Sequence, residues 1–219
     1  MKKLFIVIVL VAGALFHFKP ELFSFDFSSS GAFDEKGNPE VLVFTSHNCG
    51  GWCNKGLLEI EKRQVPFNEL SLDGNEANQK LYVDLGRGQL PYIVIGNQKV
   101  PGFYKGMIAS ALAQSYGEKY LTRIEKQYYS HHFYEDGSPM IYMYGASWCS
   151  YCKKMREEFA GRGMDYFEID VEKTPDQSLL VDTMQIEGFP VIYVGYHRIQ
   201  GADINQVLNA VKRASNKQI

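Results

Sequence analysis

The sequence predicts an α/β protein built from two tandem copies of one unit, each with a mixed four-stranded sheet. Three observations predict it. Short apolar runs precede two cysteine pairs, at Val41-Leu42-Val43-Phe44 and at Met140-Ile141-Tyr142-Met143-Tyr144, and each run reads as a buried strand. Downstream, Val65-Pro66-Phe67-Asn68-Glu69-Leu70 aligns with Met164-Asp165-Tyr166-Phe167-Glu168-Ile169, and Leu90-Pro91-Tyr92-Ile93-Val94-Ile95 aligns with Phe189-Pro190-Val191-Ile192-Tyr193-Val194. The register holds throughout. Cys53 and Cys152 are 99 positions apart, as are Pro91 and Pro190, whereas Cys49 and Cys149 are 100 apart. Chance similarity does not keep step in this way, so the one residue of difference lies inside the first cysteine loop.

Each copy then reads strand, helix, strand, helix, strand, strand, helix. The first helix starts at the cysteine pair. The last covers residues 105–126 in the first copy and 203–213 in the second. A parallel strand–helix–strand start followed by a hairpin gives a mixed sheet with helices on both faces. This assigns residues 39–126 to the first domain and 139–219 to the second. Residues 127–138 form a linker in which His131 and His132 are solvated. A length of 219 residues suits two small domains.

The N-terminus is a separate element. Met1-Lys2-Lys3 precedes an almost unbroken apolar run over residues 4–16, the pattern of an export signal or a short membrane anchor. Residues 1–18 are therefore expected to be a signal peptide or N-terminal anchor that contacts the membrane, with the rest of the chain outside the cytoplasm. A buried N-terminal helix is the alternative, but such a helix would show a polar face. Residues 19–38 mix Phe, Ser, Pro and Gly without a period and read as a linker.

Charge excludes one class of partner. The chain has 23 basic and 25 acidic residues, a net charge of −2, and neither half carries the positive field that nucleic acid needs. Four cysteines in two tight pairs point to redox or metal chemistry. Cys149-Ser150-Tyr151-Cys152 follows a strand and opens a helix. A thiolate there is stabilised by free backbone N–H groups and by the helix dipole, with Lys153 and Lys154 adding positive charge. Cys149 is the expected nucleophile and Cys152 the resolving thiol. A static disulfide and a zinc half-site are the alternatives, though no further ligands follow at finger-like spacing. The first copy has Cys49-Gly50-Gly51-Trp52-Cys53, whose helical i,i+4 spacing still permits closure. His47 sits two residues before Cys49, where it can lower the thiol's pKa, ligate a metal, or be an ordinary surface residue. For this pair, redox chemistry, a structural disulfide and Cu(I) binding by soft thiolates all remain open.

The second copy resembles a glutaredoxin of the thioredoxin superfamily. The resemblance is carried by Cys149-Ser150-Tyr151-Cys152, by Gly188-Phe189-Pro190-Val191, and by Gly201-Ala202-Asp203 after a hairpin. The first copy is similar through Asp73-Gly74-Asn75, Leu90-Pro91-Tyr92 and Pro101-Gly102. The resemblance implies tandem thioredoxin folds of βαβαββα order, with Pro91 and Pro190 cis and facing the cysteines. It implies that Leu90, Pro91, Tyr151, Phe189, Pro190 and Asp203 line the substrate groove. It also implies thiol–disulfide exchange on protein or low-molecular-weight thiols without a bound cofactor, with glutathione as a candidate co-substrate. The sequence departs from the family at several places. Thr45-Ser46-His47-Asn48 and Gly145-Ala146-Ser147-Trp148 lack a lysine or arginine before the cysteines. Leu90 and Phe189 replace the threonine before proline, and Tyr104 replaces the acidic residue kept as Asp203. The rival expectation is a non-enzymatic binding module or copper-handling protein using Cys49 and Cys53.

Overall fold

A computed structural model describes residues 31–216 of the chain. The expected signal or anchor at residues 1–18 lies outside the described residues. Among the described residues no helix is long and apolar enough to cross a membrane.

The first copy runs β1 (Val41–Thr45), α1 (Gly50–Lys62), β2 (Asn68–Ser71), α2 (Glu76–Asp84), β3 (Tyr92–Ile95), β4 (Gln98–Pro101) and α3 (Lys105–Tyr116). After α4 (Arg123–Ser130), the second runs β5 (Ile141–Gly145), α5 (Ser150–Gly161), β6 (Phe167–Asp170), α6 (Gln177–Met184), β7 (Val191–Val194), β8 (His197–Gln200) and α7 (Ile204–Asn216). The two sheets have the same order, β2-β1-β3-β4 and β6-β5-β7-β8. The β1–β2 and β5–β6 pairs are parallel and the others antiparallel. The repeat predicts two such units, and the resemblance implies their thioredoxin-like order.

Central strands are buried along their whole length, so β1, β3, β5 and β7 are continuous apolar runs. Their side chains alternate between two cores. In the first copy Val41, Val43, Ile93 and Ile95 pack with Ile60 of α1, while Leu42, Phe44, Tyr92 and Val94 pack with Leu81 and Leu85 around α2. In the second copy Met143, Ile192 and Val194 pack with Met155 and Phe159 of α5 and with Val207 of α7.

Three sequence expectations are corrected here. The last helix of the first copy is not continuous over residues 105–126. Gly117 adopts φ 62° and ψ −145°, which a side chain disfavours, and α3 stops there. α4 then starts at Thr122, whose hydroxyl accepts from the Glu125 N–H while the Glu125 carboxylate accepts from the Thr122 N–H. Second, residues 127–138 are not a solvated tether, because Tyr129 and His132 are fully buried. Third, the linker over residues 19–38 already holds structure at its described end, where Ala32 bridges Gly96 and Phe33 bridges Pro39. Phe133 bridges Pro139 in the same way. The repeat thus begins earlier than the first strands, at Phe33-x-x-x-Gly37-x-Pro39 and Phe133-x-x-x-Gly137-x-Pro139. Both glycines have φ 80°, closing equivalent turns.

α3 joins the copies. Its Ile108 and Leu112 belong to the core of the first copy, and its Ala109 and Ala113 to the core of the second, beside Tyr144, Leu180, Met184 and Tyr193. The second face is made of small residues, which lets the helix approach closely. A Cβ on Gly106 would lie 2.8 Å from the Met184 carbonyl oxygen. Hydrogen bonds fix the contact: Gly106 N–H donates to Gln185 Oε1 at 2.8 Å, and Ser110 Oγ donates to the Tyr196 carbonyl at 2.6 Å. On the first copy's side, buried Glu125 of α4 takes a bidentate pair from Arg63 at the end of α1, at 2.6 and 2.8 Å. Tyr129 of the same helix lies in the other core.

Candidate active site

In the second copy β5 ends at Gly145, and Ala146-Ser147-Trp148 lead into Cys149, the N-cap of α5. Cys149 has extended backbone angles, so the helix begins just after it and its sulfur turns back over the first turn. Cys149 Sγ accepts from the Cys152 N–H at 3.0 Å. The two cysteines form a disulfide with Cα atoms 5.2 Å apart. Cys149 is 4% exposed and Cys152 is 0% exposed. Both cysteines are buried, and their exposures differ little. Two exposed rings flank the pair, Trp148 and Tyr151. Trp148 meets Phe189 edge-on at 6.0 Å, and its indole N–H donates to Glu172 at 2.7 Å.

In the first copy the extra residue alters this start. Residues His47–Cys49 form a 3-10 turn before α1, and Gly50 takes φ 51°. Cys49 therefore sits inside a turn, and its sulfur caps nothing. Cys49 and Cys53 still form a disulfide, with Cα atoms 5.5 Å apart. Cys49 is half-buried and Cys53 is buried. The exposed Trp52 packs on Phe103 at 6.5 Å, with Lys55 Nζ 4.9 Å from its ring.

The Leu90–Pro91 and Phe189–Pro190 bonds are both cis. Phe189 packs against the core that contains Cys149 and Cys152. In the first copy α1 crosses Pro91 at Gly56, where a Cβ would lie 2.8 Å from Pro91 Cγ. Asp203 is placed at the start of α7, where its Oδ1 accepts from the Asn205 and Gln206 N–H groups. Hydrogen bonds from Gln206 hold its carboxyl below the ordinary value. Tyr104 occupies the equivalent position before α3 without a capping bond.

His47 is turned to Asp73 rather than committed to Cys49. Asp73 accepts from the His47 N–H at 2.7 Å, pairs with His47 Nδ1 at 2.8 Å, and accepts from Ser46 Oγ at 2.9 Å. These contacts, the His47 N–H first, hold the Asp73 carboxyl at about 2. Among the described residues no three His, Cys, Asp or Glu side chains converge as metal ligands. His132 is not solvated but packs flat on Tyr193 at 4.4 Å, with Nε2 2.8 Å from Tyr144 Oη and Nδ1 3.2 Å from the Gly195 carbonyl. Burial pushes it down to about 3. Sequence reasoning missed the Asp73 and Glu172 contacts; their one visible signal is an acidic residue just beyond each second strand.

A cleft of about 330 Å³ opens between the copies, with Tyr104 and Met107 on one side and Gln185, Glu187, Gly188 and Gln200 on the other.

Residues 140–199 match the family model for glutaredoxin. The second copy is a glutaredoxin-like domain. Solved structures similar to the chain include the glutaredoxin of Archaeoglobus fulgidus, at 22% identity over 35% of this chain and 89% of that one, with a TM-score of 0.30. The glutaredoxin from Methanosarcina mazei Go1 matches at 16% identity over 36% and 95%, with a TM-score of 0.29. The holo form of glutaredoxin C1 from Populus tremula x tremuloides matches at 17% over 42% and 98%, with a TM-score of 0.33. No curated protein matches the chain. The glutaredoxin-like domain and its disulfide-forming cysteines give the chain a thiol-redox role of that general kind.

Proposed function

We propose that this chain is a thiol–disulfide oxidoreductase in which Cys149 exchanges with substrate and Cys152 resolves the mixed disulfide. The observation that carries this reading is the Cys152 N–H donating to Cys149 Sγ at the start of α5. A donor held there favours charge on that sulfur, the condition for nucleophilic attack. Cys149 thiolate attacks a substrate disulfide and expels one substrate thiolate. Cys152 then attacks Cys149 Sγ and releases the second.

Protein thiols and disulfides are the proposed substrates. Exposed Trp148 and Tyr151, with Phe189 behind them, give apolar area for a polypeptide. The approaches to the cysteines carry no lysine or arginine for the carboxylate of glutathione. The Phe189 backbone beside Pro190 is the proposed pairing edge for an extended segment. The Cys49–Cys53 pair acts as a slower partner or docking site, because its outer sulfur lacks the capping donor. The Lys2-Lys3 and apolar pattern supports action outside the cytoplasm. A reporter that is active only in the cytoplasm, fused after Ile219, should stay silent; activity would sink the location.

The exchange reading is tested by trapping. Cys152→Ser should accumulate mixed disulfides through Cys149 that a reductant releases. A variant that traps nothing under oxidising challenge contradicts it.

A further inference from the structure

The inner thiol poses a problem that the outer one does not. Cys152 must lose a proton before it can attack, and at 0% exposure it cannot pass that proton directly to water. Beside it a carboxylate closes in. Gly145, the last residue of β5, has no side chain, and a Cβ there would lie 2.7 Å from Glu168 Oε1 and 3.3 Å from Cys152 Sγ, too close to be tolerated without a shift. The carboxylate reaches this place from β6, where Glu168 is in register with Met143. Carboxylate and sulfur therefore both close on the bare Gly145 backbone and lie within about 6 Å of each other, a span that one water can bridge.

Arg156, one turn beyond Cys152 on α5, aims the carboxylate. Its Nε donates to Glu168 Oε2 at 2.9 Å and its Nη2 to Glu168 Oε1 at 2.8 Å, while Nη2 also donates to the Ala146 carbonyl at 3.2 Å. The Glu168 side chain is 19% exposed and that of Arg156 30%, so the pair connects the sealed thiol to solvent. The first copy lacks the device. Thr45 stands where Gly145 does, and its hydroxyl donates to Glu69 Oε1 at 2.8 Å, while Leu57 stands where Arg156 does.

We propose that Glu168 is the proton acceptor for Cys152 in the resolving step, with Arg156 as its positioning residue. The inference rests on the exchange reading above. With Cys149 bound to substrate sulfur, the Cys152 S–H proton passes to the Glu168 carboxylate. The Cys152 sulfur forms a bond to Cys149 Sγ, and the bond from Cys149 to the substrate sulfur breaks. The substrate leaves as a thiolate and takes a proton from water, while Glu168 returns its proton to solvent at its exposed edge. The cysteine pair is oxidised by two electrons and the substrate disulfide is reduced by two.

The test mixes the reduced full chain with a peptide disulfide in single turnover between pH 6 and pH 9, with acid quenching and mass separation of mixed disulfide from closed Cys149–Cys152. Glu168→Gln should form the mixed disulfide at the wild-type rate. Its resolution at pH 7 should be slower by about a hundredfold, the low end of general-base effects, and should climb about tenfold per pH unit toward the wild-type rate. Glu168→Asp, which keeps the charge but retracts it, should fall between the two and serves if the Gln variant does not fold. Resolution unchanged in rate and pH profile overturns the assignment, and so does slowing by one factor at every pH. If the wild-type chain itself forms no mixed disulfide, the underlying exchange reading has failed, and this inference falls with it.

Discussion

Replacing Glu125 with alanine should be among the most damaging single changes away from the cysteines. Glu125 and Arg63 have side chains only 6% and 5% exposed, joined by two charge-assisted hydrogen bonds. Burial alone would raise the Glu125 carboxyl, yet the bonds and charge from Arg63 hold it below its ordinary value. Removing one partner of such a pair leaves a buried charge uncompensated, at a cost of about 3–5 kcal/mol. Arg63 keeps Glu59 at 2.8 Å, which favours the lower end. The lost capping box at Thr122 adds about 1 kcal/mol. The expected total is about 4 kcal/mol, or roughly 8–16 °C in melting temperature for a chain of this size. Urea denaturation of Glu125→Ala, Arg63→Met and the double variant gives the test. The double variant should cost clearly less than the two singles together, because it strands neither Arg63 nor Glu125 and leaves only Glu59 without its partner. A loss below about 1 kcal/mol for Glu125→Ala, or strict additivity, refutes the argument.

Two other outcomes follow from the same packing. His132 is held neutral at about 3 against an unfolded value near 6.5, so the unfolded chain binds the extra proton between those values. Its contribution is complete above pH 6.5 and is lost as pH falls toward 3. The wild type should lose about 2 kcal/mol between pH 7 and pH 5, and His132→Phe should flatten that drop; an equal drop in both contradicts the assignment. Gly106→Leu should push α3 off α6, since even a Cβ would meet Met184 O at 2.8 Å. A loss of about 1–3 kcal/mol is expected by denaturation, and a neutral result would show that the inter-copy contact is loose.

The repeat, the eight strands of the described residues and the cysteine-bearing helices are legible because each is written locally, in apolar runs, glycines and prolines. The two prolines before β3 and β7 marked the cis bonds through family resemblance, not through periodicity. Other features were present in the sequence but overlooked. Thr122-Arg123-Ile124-Glu125 is a capping box that announces α4, and Phe33 and Phe133 open matching turns. The role of α3 was hidden for a different reason. A helix apolar on nearly all sides carries no period that tells one core from two, so its second partner became visible only in three dimensions. His132 was misplaced because a histidine between two domains reads as solvent-facing until Tyr144 and Tyr193 close around it. Glu168 had no local signal either, since its importance arises from strand register beside Gly145.

The central claim is that the second copy performs the exchange and that the extra residue in the first cysteine loop demotes the other pair. Comparing Cys149→Ser with Cys49→Ser in the full chain, in one disulfide-reduction assay, tests it directly. The Cys149 change should remove nearly all activity and the Cys49 change only a minor part. A larger loss from Cys49→Ser would contradict the ranking, and no loss from either would contradict thiol exchange itself.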